Sequence, residues 1–169
     1  VKRTVFVDTN IIIEAHRTGC WRDISSRCDI HIVKSVYEEA LSGRKTRAGY
    51  IEVNQTELQH SVTIHEVTNK QIADAIGACP ELVNVDKGER DLLSFLHTYP
   101  EEIWFLTTAD KAAVKAAYAL GLRERFISLE KLAGVTTIPL RGGYTEAALS
   151  AICTECLLDA MQSGRENGS

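Results

Sequence analysis

The chain has 169 residues, with 19 Lys and Arg against 23 Asp and Glu, for a net charge of −4 at neutral pH. A content of 44% hydrophobic and 25% charged residues is that of a globular domain and excludes a disordered or collagen-like chain. No apolar run is long enough to span a bilayer, and the acidic balance excludes a general DNA-coating protein, so nucleic acid would need a local basic patch or a metal.

The first predicted element is a buried strand at Thr4-Val5-Phe6-Val7, β-branched and aromatic. Asp8-Thr9-Asn10 follows, and Ile11, Ile12, Ile13 and Ala15 open a helix. Cys20 and Cys28 belong, with Cys79, Cys153 and Cys156, to an odd set of cysteines in a chain large enough to fold without staples. The opening VKRTVFVDTN lacks the apolar core of a secretory signal. Reduced thiols and a cytoplasmic location are therefore the expectation.

A second strand is expected at Asp29-Ile30-His31-Ile32-Val33, then a helix from about Ser35 through Val36 and Ala40. The run GRKTRAG at 43–49 reads as a basic loop or helix break. A polar helix over 50–60, a third strand at Val62-Thr63-Ile64-His65 and a helix through Ile72, Ala73, Ala75 and Ile76 come next. Asp86-Lys87-Gly88-Glu89 opens a helix to His97 with the spacing of a capping box. A fourth strand is expected at Ile103-Trp104-Phe105-Leu106-Thr107, a helix from about Ala109 to Leu120 stopped by Gly121, and a fifth strand at Phe126-Ile127-Ser128-Leu129.

The pattern changes at Gly134. A loop with Pro139 and two glycines leads to Leu149, Ile152, Cys153, Cys156, Leu157 and Ala160 at helical spacing. We therefore expect one domain over 1–133 and a loop-and-helix extension over 134–169, packed on or beside it. Alternating strands and helices imply an α/β fold with a mainly parallel sheet. Function in such sheets sits beyond the carboxyl ends of the strands, where strand order reverses.

That rule singles out acids. Asp8 ends the first strand, and Asp110 follows the fourth in Leu106-Thr107-Thr108-Ala109-Asp110. Glu38 and Glu39 lie on the helix after the second strand, and Glu89 lies in the first turn of the helix before the fourth. Each has an ordinary reading too. Asp8 and Asp110 suit helix caps, and Glu89 suits a capping box. Of Glu38 and Glu39 only one can face a common site, because adjacent helical residues point about 100° apart. Two unit charges about 4 Å apart repel by about 4 kcal/mol at an effective dielectric of 20, so a carboxylate cluster must bind cations or hold protons. Oxygen-only ligands suit Mg²⁺ and Mn²⁺.

The stretches VFVDTNIII, IHIVKSVYEEAL, VDKGERDLLSF and FLTTADKAAVKAAYALGL, in this order, resemble a PIN domain, the metal-dependent nuclease family. The resemblance spans residues 4 to about 130; a strand ending in Asp-Thr-Asn and a later Thr-x-Asp opening a helix are its most specific parts. It implies a three-layer α/β/α sandwich around a five-stranded parallel sheet, and endoribonuclease activity with Mg²⁺ or Mn²⁺. It places the family's acids on Asp8, on Glu39 through a Val-x-x-Glu pattern, on Glu89 and on Asp110. Asp86 and Asp91 are substitutes for the third. Glu89 stands where Asp is usual. Thr9, Asn10 and Thr108 match small polar residues that hydrogen-bond around the acids. Many bacterial PIN domains are VapC-type toxins of toxin–antitoxin pairs, so the implied partners are RNA, an antitoxin-like inhibitor protein and a homodimer mate, and no membrane. The alternative on the same fold is a non-catalytic RNA-binding or protein-interaction module.

The remaining signals are weaker. Gly43-Arg44-Lys45-Thr46-Arg47 is the densest basic run, and Arg44, Lys45 and Arg47 could hold RNA beside the acids or form a solvated loop. Lys34, Lys111 and Lys115 could add to that face. Cys153-Thr154-Glu155-Cys156 has zinc-type spacing without a second pair, so packing is expected. His16, His31, His60, His65 and His97 receive no catalytic role, and Trp21, Trp104 and Phe105 are expected to pack. Asn10 stands where a haloacid-dehalogenase-like phosphatase needs a second Asp. Glycine-rich phosphate loops are absent.

Overall fold

The computed structural model describes residues 1–42 and 51–166. The basic run with Arg44, Lys45 and Arg47 lies outside the described residues.

Among the described residues, four strands form one parallel sheet: β1 (Arg3–Val7), β2 (Cys28–Val33), β3 (Val62–His65) and β4 (Phe105–Thr107). Their order is β3-β2-β1-β4. The chain steps outward from β1 through β2 to β3, then returns to the other side of β1. Strand order therefore reverses between β1 and β4, where Val7 stands in register with Thr107. Val5, Phe6 and Val7 are all buried, so β1 is covered on both faces, as a central strand of a parallel sheet must be.

The expected fifth strand is not a strand. Phe126 makes one isolated parallel bridge to Leu106, and the Ile127 N–H donates to the Leu106 carbonyl at 3.0 Å. A 3-10 turn at Arg123–Arg125 precedes it, and Ser128 caps a short helix directly afterwards. Two flanking helical turns leave too little extended chain for a ladder.

The helices are α1 (Thr9–Arg17), α2 (Trp21–Arg27), α3 (Lys34–Ser42), α4 (Gln55–Ser61), α5 (Asn69–Ala78), α6 (Lys87–His97), α7 (Lys111–Ala119), α8 (Leu129–Ala133) and α9 (Glu146–Glu166). Gly121, at φ 78°, ends α7 as its position predicts. The short helices α2 and α8 were not expected; α2 buries Trp21 and Ile24, and α8 buries Leu129, Leu132 and Ala133. The capping box expected at Asp86 does not form, for the Asp86 side chain makes no cap bond.

Helix α9 packs on α7 rather than on the sheet. Val114, Leu149 and Cys156 form a small core of their own, with Ile152 and Cys153 against it. The paired cysteines thus serve packing. No helix among the described residues is long and apolar enough to cross a membrane.

Candidate functional site

The point where strand order reverses carries Asp8 after β1 and Thr108 and Asp110 after β4. Asp8 caps α1, with Oδ1 accepting from the Ile11 N–H at 2.9 Å. Its Oδ2 accepts from the Thr108 hydroxyl, 100 residues away. The capping reading of Asp8 is therefore correct for one oxygen, and the other is held by a residue after β4. Asp110 caps α7 in the same way, its Oδ1 accepting from the Ala113 N–H at 2.7 Å. The Asp110 N–H in turn donates to the Thr108 hydroxyl at 3.2 Å. One threonine thereby links the two acids.

Glu39 arrives from α3. Its Oε2 accepts from the Thr9 hydroxyl at 2.8 Å and its Oε1 from the Gly88 N–H at 3.0 Å. A Cβ on residue 88 would lie 2.5 Å from Glu39 Oε2. Glycine at the start of α6 is thus what admits this carboxylate. Glu89 follows and is almost fully buried.

The electrostatics record the convergence. Burial pushes the Glu89 carboxyl up to about 8, helped by the charges of Asp8, Asp110, Asp86 and Glu39. Burial likewise raises Asp8 to about 6, with a further push from Asp110, against the hydrogen bonds from Thr108 and Ile11. No ion pair among the described residues involves Asp8, Glu39, Glu89 or Asp110.

Asp8, Glu39 and Asp110 all lie near enough to act on Glu89 through their charges. Glu38 instead lines a separate cleft with Lys34, Glu66, Lys87 and Asp91, which decides between the two adjacent glutamates. Asp91 lines that cleft too and contacts Arg90 at 3.3 Å, while the charge of Asp86 acts on Glu89. One supporting role needs correction. The exposed Asn10 side chain makes no hydrogen bond among the described residues, and only its main-chain N–H supports Asp8. The lysines are committed elsewhere: Lys34 pairs with Glu66 at 3.1 Å, and Lys111 and Lys115 both pair with Glu155.

Tyr144 is a residue that sequence reasoning missed. It lies in a 3-10 turn at Gly142–Tyr144, half-buried, and burial together with the charges of Asp8 and Glu14 raises its phenol to about 12. Nothing in the local pattern marks it, since it belongs to no periodic segment.

Among the described residues, no three His, Cys, Asp or Glu side chains stand close enough together to hold a metal ion. Mg²⁺ does not require three; it typically takes one or two carboxylates and completes its shell with waters and substrate phosphate oxygens. The donor set here is all oxygen, and burial with neighbouring negative charge raises the Glu89 carboxyl to about 8. That chemistry fits a hard divalent cation. No protein-family model and no curated protein sequence matches the chain.

Proposed function

We propose that the chain is a PIN-like, three-layer α/β/α endoribonuclease that hydrolyses RNA phosphodiester bonds with Mg²⁺ or Mn²⁺. The observation that supports this most is Glu89, buried among Asp8, Asp110, Asp86 and Glu39 with its carboxyl raised to about 8. An uncompensated acid cluster at a strand-order reversal is costly to folding, and a cation relieves that cost.

In this reading Asp8 and Asp110 are the principal metal ligands. Glu39 and Glu89 complete the cluster or orient the attacking water. Thr108 and Thr9 hold the Asp8 and Glu39 carboxylates in place through the hydrogen bonds described. A divalent ion held there supplies Lewis acidity toward a phosphodiester oxygen and lowers the pKa of water. Metal binding then requires Glu89 to release its proton. The reading further makes the protein a cytoplasmic toxin of a toxin–antitoxin pair, with an antitoxin-like inhibitor and a homodimer mate; these parts rest on the resemblance alone.

A second reading, a non-catalytic RNA-binding or protein-interaction module, is favoured by the lack, among the described residues, of three donors close enough together to hold a metal ion. One experiment separates them. Mn²⁺ is titrated into the metal-free protein while the melting temperature is followed, and cleavage of a single-stranded RNA is assayed alongside. A nuclease gains thermal stability at millimolar metal and cuts the RNA. Neither response occurs for the module.

A further inference from the structure

Glu14 lies in the middle of α1 and is fully buried. Arg17 grips it with two hydrogen bonds, Nε to Oε2 at 2.9 Å and Nη2 to Oε1 at 2.6 Å. Arg17 Nη2 also donates to the Pro139 carbonyl at 2.9 Å, and the Arg141 main-chain N–H donates to Glu14 Oε1 at 2.8 Å. These contacts fasten the loop after Gly134 to the helix that Asp8 caps. The far side of the loop is fastened too, with the Glu146 N–H donating to Glu130 Oε2 at 2.6 Å. Between the two fastenings stand Arg141 and Tyr144, joined by a Tyr144 N–H to Arg141 carbonyl bond of 3.0 Å.

The Arg141 guanidinium is loosely ion-paired with Glu14, and neither it nor the Tyr144 hydroxyl donates a side-chain hydrogen bond among the described residues. The Arg141 side chain is 56% exposed, and its Nε lies 3.8 Å from Glu14 Oε2. The Tyr144 ring packs against the main core. Arg17 is the contrast, spent on Glu14 and Pro139. The raised phenol keeps its proton at neutral pH and so remains a donor. The loop is thus held on α1, with the Tyr144 phenol near enough to Asp8 to feel its charge and Arg141 three residues before it on Glu14; the acid cluster's own field repels a polyanion. An approaching phosphate needs a cation, and a guanidinium binds it with paired N–H bonds.

We propose that Arg141 and Tyr144 hold the phosphodiester backbone of single-stranded RNA at the rim of the acid cluster, making the loop before α9 part of the substrate site. This rests on the ribonuclease reading.

The test uses the full chain, a short fluorescent single-stranded RNA and anisotropy over a salt series. The binding arm carries Asp8→Asn so that the RNA stays intact. Adding Arg141→Gln is expected to weaken binding about tenfold and to lower the salt slope by about 0.7, the value for one lost phosphate contact on a single strand. Adding Tyr144→Phe is expected to weaken binding about threefold, as for one lost neutral hydrogen bond. Tyr144→Phe should leave the melting temperature unchanged, and Arg141→Gln should lower it only slightly, because the main-chain bond to Glu14 stays and only the 3.8 Å ion pair is lost. In cleavage assays on the otherwise native protein, KM should rise more than kcat falls. Native-like affinity and salt slope in both variants, with cleavage by the unsubstituted protein intact, overturn this assignment and leave the nuclease reading standing. An unsubstituted protein that neither binds nor cuts RNA overturns both.

Discussion

Helix α1 presents two buried acids in opposite circumstances. Asp8, at its start, has no cationic partner among the described residues, and burial raises its pKa to about 6 with a smaller push from Asp110. Glu14, within it, is also penalised by burial, but hydrogen bonds from Arg17 and from the Arg141 main chain outweigh that penalty and hold its pKa below the ordinary value. Burial is common to both; the partner sets the sign. A carboxylate with partners fastens two segments together. A carboxylate without cationic partners stores a repulsion that a ligand can relieve, which is the electrostatic condition of a functional site.

The comparison breaks most visibly at Asp8. Asp8→Asn retains a capping side chain, so the fold should persist. Mg²⁺-dependent RNA cleavage should fall at least about a hundredfold, on the scale of losing one positioned charge at a reacting centre. Undiminished cleavage by the purified variant would remove the proposed mechanism.

Glu14→Ala should act in the reverse manner. Losing a buried, charge-assisted network costs about 2–4 kcal/mol, which a urea denaturation midpoint will register. RNA affinity should also fall, because the loop bearing Arg141 and Tyr144 loses its hold on α1.

Gly88→Ala separates the site from the scaffold. The new Cβ displaces the end of a flexible side chain, Glu39, and not backbone. Thermal stability should change little, within about 1 kcal/mol. The stabilisation by Mn²⁺ should shrink clearly, because Glu39 leaves its place.

The smallest effect is in pH dependence, where the two acids pull in opposite directions. With metal chelated, folded Asp8 and Glu89 keep protons that the unfolded chain has released. Stability from the cluster therefore declines as pH rises from the ordinary carboxylate range to about 8. The Glu14 contribution is present above the ordinary carboxylate pKa and disappears as pH falls through its depressed folded value. Melting curves across pH, in chelator and in Mn²⁺, should diverge most at the alkaline end, where the acids are charged and the metal response is greatest.

Much of the site was legible because its parts announce themselves locally. Asp8 and Asp110 each sit where a strand gives way to a helix, and each caps the helix that follows. Glu39 and Glu89 lie on amphipathic helices at places the apolar pattern defines. What was misread depended on more distant neighbours. Phe126–Leu129 has strand composition, yet the turns on both sides shorten it to a bridge. The Asn10 side chain faces solvent although its neighbours line the site. Glu38 and Glu39 could be told apart only by the cleft each one meets.

From the amino-acid order alone came the α/β alternation, the ends of the main helices and the candidate acids, since these follow from hydrogen bonds and hydrophobic periodicity within a few residues. Tertiary structure alone decided that β4 lies beside β1, which brings Thr108 to Asp8, and that Gly88 clears room for Glu39. It also placed Arg141 and Tyr144 against the same helix through Glu14. Those pairings join segments from 30 to more than 100 positions apart. They arise from strand order and burial, which no short window of residues encodes.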